Sequence, residues 1–337
     1  MAATGRLSSV LAALAFLLLP ASLPVPVSAA ADGYQVKGNR IVDSTGAPFI
    51  VKGADAVFGR FAGGDVNGYG LANYQNAQRD LDNLQSQGVN LIRVSVAYID
   101  YTTGPLGSIE YLSELDQVVS WVTQRGMVME VSQGESGFST AVVDFVAMLA
   151  GRYAGNPLVW IKPDNEPNCV SGDLTYCGDW TYWQSSEQQL VQAIRAAGNT
   201  QPIVVNCIWW SFVCDQVASY PLGDPNLVYG AHRYGNGNTT FDDAQAASCD
   251  ALWADLASSY PVIVDEVGLY NGMTSPSSWG AGFLDYATDW VRTRKGSGVI
   301  AFTDSWSDGN SMTDYTDGSW NDWGQTLITH FWSVTFR

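Results

Sequence analysis

Two glutamates in this 337-residue sequence each stand where an apolar run gives way to turn residues. Leu158-Val-Trp-Ile-Lys-Pro-Asp-Asn-Glu-Pro167 begins strand-like and ends in polar groups. Pro167 has no amide proton, so ladder pairing stops there. Pro261-Val-Ile-Val-Asp-Glu-Val-Gly268 is a second such run, with Glu266 just before the chain opens into Gly268. Two carboxyl groups at two strand ends can flank a glycosidic bond. One attacks as nucleophile while the other protonates the leaving oxygen and then activates water. The acid must keep its proton near the working pH and the nucleophile must stay ionised, so the two need different surroundings. A gap of about 5–5.5 Å suits a retaining reaction and a wider one an inverting reaction.

Other strand ends supply polar groups of matching chemistry. Arg93 closes Gly88-Val-Asn-Leu-Ile-Arg93, and His232 and Tyr234 lie in Ala231-His-Arg-Tyr234. Asn165 precedes Glu166, and Trp306 follows the apolar run that ends at Phe302. An arginine and a tyrosine hydroxyl beside Glu266 would favour its anion. Asn165 can donate to a sugar 2-hydroxyl, and Trp306, Trp209 and Trp210 offer faces on which a sugar ring can stack. Asp164 and Asp265 neighbour the two glutamates. If their strands continue, they point away from the glutamates. Glu130 reads as a network or surface residue, and His330, on the final helical stretch, as structural.

The elements that must hold these residues alternate. After a hairpin over 34–49, marked by turn residues at Gly38-Asn39 and 43–46, strand patterns fall near 50–57, 89–96, 127–131, 158–162, 203–208, 227–231, 262–264 and 299–302. Helical spacing fills 75–87, 113–124, 140–153, 182–197, 241–259 and 279–294, with a last helix around Leu327 and Phe331. Glycines 88, 126 and 198 stand where helices should end. The weakest helical pattern is the fifth, before the strand at 227–231. About eight strand–helix units predict a closed (β/α)8 barrel. An open doubly wound sheet is the alternative, but Gly59, Gly63 and Gly64 after the first strand do not make the G-x-G-x-x-G turn such a sheet often carries.

Together, Gly88-x-Asn-x-Ile-Arg93, Asn165-Glu-Pro167, His232-x-Tyr234, Glu266 before Gly268, and Trp306 resemble the pattern of glycoside hydrolase family 5, over essentially all of 32–337. The resemblance implies a retaining (β/α)8 enzyme with the hairpin at the barrel bottom. It implies Glu166 as acid/base, Glu266 as nucleophile, and Arg93, Asn165, His232, Tyr234 and Trp306 in support, with no metal or organic cofactor. It also implies a β-linked polysaccharide or oligosaccharide, with endo-β-1,4-glucanase action expected first and endo-β-1,4-mannanase second. A transglycosylase on the same pair, or a non-catalytic sugar-binding barrel, are the rival readings. The sequence departs from the pattern after the third strand, where Met129-Glu-Val-Ser-Gln-Gly-Glu135 has no histidine; Gln133 or Glu135 can take that place.

Composition sets the compartment. Arg6, the apolar stretch 10–19 and small residues at 28–30 have the layout of a secretory signal peptide, leaving 31–337 as one catalytic domain. The formal charge of −17 argues against nucleic acid and acidic lipid as partners, and no later apolar stretch is long enough to span a membrane. A soluble, secreted monomer is expected. Export permits disulfides. Of the five cysteines, Cys169 with Cys177 and Cys207 with Cys214 are local pairings that leave Cys249 free, although sequence does not fix connectivity.

Overall fold

The computed structural model describes residues 33–56, 71–104, 106–134, 138–167, 178–235, 240–269, 277–303, 311–314 and 316–336. The signal-like segment 1–30, Gly59, Gly63, Gly64, Glu135, Cys169, Cys177 and Trp306 lie outside the described residues. Strands β1 (Gln35–Lys37) and β2 (Arg40–Val42) form an antiparallel hairpin. Eight strands then close a barrel: β3 (Val51–Asp55), β4 (Leu91–Val96), β5 (Val128–Gln133), β6 (Val159–Lys162), β7 (Ile203–Asn206), β8 (Leu227–Tyr234), β9 (Val262–Gly268) and β10 (Gly298–Ala301). Every neighbouring pair is parallel, and β10 pairs back onto β3. This is the predicted (β/α)8 barrel.

Helices α1 (Leu71–Ser86), α3 (Gly107–Gln124), α4 (Thr140–Tyr153), α5 (Trp180–Ala196), α6 (Asp243–Leu252) and α7 (Ser277–Arg294) connect the strands. Ser139, Asp179 and Asp242 cap the amino ends of α4, α5 and α6, each accepting a hydrogen bond from a backbone amide of the first turn, which satisfies a donor that has no partner within the helix. Gly88, Gly126 and Gly198 take the left-handed conformation just past α1, α3 and α5, as helix-ending glycines do.

The sequence pattern missed three local features. A short helix, α2 (Tyr98–Thr103), precedes α3. The helix expected over 241–259 divides, because Trp253 (φ −155°) ends α6 and a 3-10 turn, Ala254–Ser258, follows. Between β7 and β8 there is one 3-10 turn, Val217–Ser219, in place of a helix. The final helix, α8 (Asp322–Leu327), runs on into a π-helical turn, Ile328–Trp332.

Inward side chains alternate along each strand, so the interior is built in layers. The lower layer is apolar: Val51, Leu91, Val128, Trp160, Val204, Val228, Ile263 and Ile300 form one buried cluster with Ile41 of the hairpin. Tyr34 and Phe49 meet the Trp160 ring edge-on, with centroids 5.4 and 5.9 Å away. Val36 N donates to Asn226 Oδ1 at 2.8 Å, just before β8. The hairpin therefore covers the amino-terminal mouth of the barrel, and the carboxyl-terminal mouth belongs to the candidate site.

Trp160 is fully buried at the centre of this plug. Trp160→Ala should cost about 3–5 kcal/mol in chemical denaturation. The same change at Ile109, 87% exposed, should fall within about 0.5 kcal/mol of wild type.

Candidate active site

The layer above the plug is charged. Two residues further along their strands come Arg93, Glu130, Lys162, Asn206, Gly230 and Asp265, joined by Asp55, four residues beyond Val51 and paired with Arg93, and by His232 one step higher on β8. Arg93 is the hub. Its guanidinium lies 3.4 Å from Asp55, 3.8 Å from Glu130 and 3.7 Å from Glu266. It also donates to Asn165 Oδ1 at 2.8 Å and to the backbone carbonyl of Asp265 at 3.0 Å. Burial works against the charge, but the Glu266 and Asp55 carboxylates outweigh it and raise Arg93 above its usual range.

Glu166 and Glu266 converge on one imidazole. His232 Nδ1 lies 2.7 Å from Glu166 Oε1 and 2.5 Å from Glu266 Oε2. One oxygen of each glutamate and the ring nitrogen all lie within 4.8 Å of one another. Burial would push His232 down, but Glu266 and then Asp265 outweigh it and raise it to about 10, so the ring is a buried cation at neutral pH. Burial would push Glu266 up, but His232 and Arg93 hold it at about 2. Tyr234 hydrogen-bonds Glu266, and burial together with the two glutamate charges raises its phenol well above the usual value. Glu166 has a side chain 30% exposed against 7% for Glu266. One carboxyl group thus meets solvent at the mouth while the other is buried among cations.

Local backbone geometry makes this convergence possible. Glu166 has φ 55°, in the left-handed region that ends the strand direction of β6, and its amide donates to Asn206 Oδ1 at 3.0 Å. On β9, Ala231 of β8 pairs with Val264 and His232 pairs with Glu266, so Asp265 is an extra residue. This bulge overturns the expectation that Asp265 points away from Glu266. Strict alternation fails where one residue is inserted, and both acids face the interior. Asp265 accepts from Lys162 Nζ at 2.7 Å and from Asn206 Nδ2 at 2.9 Å. Asp164, past the end of β6, is buried, and its charge adds to burial in raising Glu187 of α5.

Trp209 and Trp210 follow β7, each 42% exposed, with ring centroids 6.1 Å apart. Trp209, Trp210 and Ser211 have φ 54°, 54° and 60°, a conformation that costs each non-glycine residue roughly 1–3 kcal/mol. The Cys207–Cys214 disulfide brackets them, and Ser211 accepts from the His232 amide at 3.0 Å and donates to the Gly230 carbonyl. The Trp210 amide contacts the Pro167 carbonyl, so this loop lies against the Glu166 turn. The bridge is one of the two local pairings considered, and Cys249 is free and buried. Trp323 is core, Trp320 packs on Trp332, and His330 pairs with Asp285 away from the site. Gln133 is buried at the end of β5.

Lys162, Asn206, Asp265 and Ser211 escaped the sequence analysis as site residues. Lys162 left a trace, since a lysine inside an apolar strand is almost never buried without a partner. Among the described residues, Glu166, His232 and Glu266 have donor atoms close enough to hold a cation. The imidazolium would have to give up a proton first.

Comparison with known proteins places this geometry. The sequence model described as Cellulase (glycosyl hydrolase family 5) matches residues 42–309. A cellulase from a Thermoanaerobacterium species is 24% identical over 151 residues, 44% of this chain and 38% of that protein, so the match spans well under half of the relative. Among solved structures, a β-glucanase from Saccharophagus degradans superposes with a TM-score of 0.74 at 20% identity, covering 93% of this chain and 97% of that one. The catalytic domain of the major endoglucanase from Xanthomonas campestris pv. campestris gives 0.70 at 19% identity, covering 89% and 100%. At such identities the superpositions show a shared fold.

The charged layer has a pH signature. Burial raises Glu130 from 4.5 to about 7. The folded state therefore binds this proton more tightly than the unfolded state, and the stability so gained is complete below pH 4.5 and lost as pH rises towards 7. Glu130→Gln fixes the neutral form. The Tm of this variant minus that of wild type should grow between about pH 4.5 and 7, measured by differential scanning fluorimetry across buffers.

Proposed function

Since this chain belongs to the cellulase family, glycosyl hydrolase family 5, we propose that it is a secreted, retaining endo-β-1,4-glucanase, with residues 31–337 as its catalytic unit. The observation that carries the proposal is the approach of one oxygen of Glu166 and one of Glu266 to within 4.8 Å, with the His232 Nδ1 against both. That gap suits a covalent intermediate better than an interposed water.

In the first step Glu266, held ionised by His232 and Arg93, attacks the anomeric carbon. Glu166, at the exposed side of the pair, protonates the departing glycosidic oxygen. In the second step Glu166 takes a proton from water, which attacks the glycosyl–Glu266 ester and frees the carboxylate. Asn165, its Oδ1 engaged by Arg93, offers its amide NH2 to the sugar 2-hydroxyl, a bond that strengthens as charge develops. Trp209 and Trp210 form a stacking platform beside Glu166, and Trp306 is assigned to the same role from its sequence position.

The substrate reading rests on the family and on chemistry. A neutral glycan meets no repulsion from a chain of net charge −17, and exposed indoles suit the apolar faces of β-linked glucose. A structural neighbour, the Saccharophagus degradans β-glucanase, was solved with cellotetraose, which supports a β-glucan as the first substrate to try. The acidic surface and signal-like amino terminus favour a monomer released outside the cell. No described helix is long and apolar enough to cross a membrane.

A panel of cellulose, mixed-linkage glucan, mannan and xyloglucan, with products sized by chromatography, tests the assignment. Internal cleavage of β-1,4-glucan is expected, and turnover of mannan alone would replace the substrate. Glu266→Gln should bind cello-oligosaccharides yet lose about a thousandfold or more in kcat; wild-type turnover in that variant removes the nucleophile assignment. Trp209→Ala should raise KM about three- to tenfold with kcat nearly unchanged.

A further inference from the structure

Beneath the two glutamates lies a second charged pair. Lys162 Nζ and Asp265 Oδ2 are 2.7 Å apart, and both side chains are fully buried. Such a pair loses hydration that mutual attraction only partly returns, and apolar residues of similar volume often give equal or greater stability. Stability alone therefore gives no reason for its presence. The backbone makes room for it: a Cβ on Gly230 would fall 2.5 Å from the Asp265 carboxylate.

The remaining bonds of the pair run to the candidate catalytic groups. Lys162 Nζ donates to Asn165 Oδ1 at 2.7 Å, the same oxygen that Arg93 engages at 2.8 Å. Two cationic donors on one oxygen fix which end of the amide faces the barrel and turn its NH2 away. Asp265 Oδ1 lies 3.3 Å from His232 Nε2, opposite the Nδ1 that meets both glutamates. Asp265 Oδ2 also accepts from Asn206, whose Oδ1 holds the Glu166 amide. A carboxylate behind an imidazole sets which ring nitrogens carry protons.

We infer that Lys162 and Asp265 are a positioning pair for the hydrolysis proposed above: Lys162 orients Asn165 toward the sugar, and Asp265 keeps His232 doubly protonated between Glu166 and Glu266. The inference rests on that functional reading for its purpose. The charged groups around the pair are Asp55 on β3, Arg93 on β4, Glu130 on β5, Glu166 after β6, Glu187 on α5, His232 on β8 and Glu266 on β9, with the Tyr234 phenol above. Lys162 lowers Glu266, and Asp265 raises His232. Lys162 also lies 3.4 Å from His232 Nε2 and lowers that ring, so Lys162 acts on both groups while Asp265 opposes it at the imidazole. Without Lys162, Glu266 binds a proton more readily and the acid limb of kcat/KM moves up. Without Asp265, His232 releases its proton more readily, so the cation between the two glutamates is lost at lower pH.

The test uses the full chain with Lys162→Met, Asp265→Asn and the double variant. Each single change should lower kcat about tenfold or more with little change in KM; Lys162→Met should move the acid limb up, and Asp265→Asn should lower the pH at which His232 loses its proton, read by nitrogen-15 NMR. The double variant removes both charges together. It should recover Tm lost by the singles while kcat stays low. Recovery of kcat along with Tm, or an unmoved acid limb in Lys162→Met together with an unmoved His232 titration in Asp265→Asn, overturns the inference. Should a single variant fail to fold, nitrogen-15 NMR of wild type decides. The chain has two histidines, and His232 should show two protonated ring nitrogens at pH 8; one proton there overturns the inference. Failure of the hydrolase reading looks different, since wild type itself would then cleave no glycan in the panel.

Discussion

A carboxylate under the mouth of a closed barrel stays ionised only where a cation stands beside it. In this barrel Arg93, Lys162 and His232 face Asp55, Glu130, Asp265 and Glu266 within one layer. The cations do not serve the acids equally. Glu266 and Asp265 lie where they concentrate and are held low. Asp55 and Glu130 feel burial more than attraction and rise to about 6 and 7. One layer of one barrel thus sorts four acids into two that are fixed anions and two whose charge depends on pH. Chemistry that needs a permanent anion has one place to use it from the mouth, at Glu266.

The barrel performs this sorting because it is closed and parallel. Strands β3 to β9 contribute at the same height, so residues distant in sequence share a layer, and the apolar layer beneath, with Trp160 at its centre, keeps water from reaching the ions from below. Glu166 stands outside this arrangement. Its left-handed backbone lifts it to the rim, where it touches the imidazole and still meets solvent. The contrast between a buried anion and an exposed acid follows from where strands β6 and β9 stop.

Much of this was legible in the sequence. The strand–helix alternation, the hairpin and the glycines past α1, α3 and α5 follow from hydrophobic period and turn chemistry, which are local. Glu166, Glu266, Arg93, His232 and Tyr234 were legible because each is a polar residue in or just after an apolar run, although Arg93 lies within β4 and not at its end. What escaped was non-local. Lys162 and Asn206 are single polar residues in apolar runs, and their partners come from strands far along the chain. The bulge at Asp265 leaves no mark in Val-Ile-Val-Asp-Glu-Val, because an extra residue shows only against the neighbouring strand. The absence of a helix before β8 also has a tertiary cause: a disulfide-bracketed loop carrying Trp209 and Trp210 occupies that connection.

The bulge in β9 changes what one strand can deliver. A regular strand sends every second residue to the same side, so adjacent residues can never work in one cavity. The inserted position resets that parity and lets Asp265 and Glu266, joined by a single peptide bond, occupy two depths of the same interior, one holding the floor of the cleft and the other open to its contents. Removing one residue there would leave the fold recognisable yet rotate one acid out among the helices, so the count of residues in this strand matters as much as their identity.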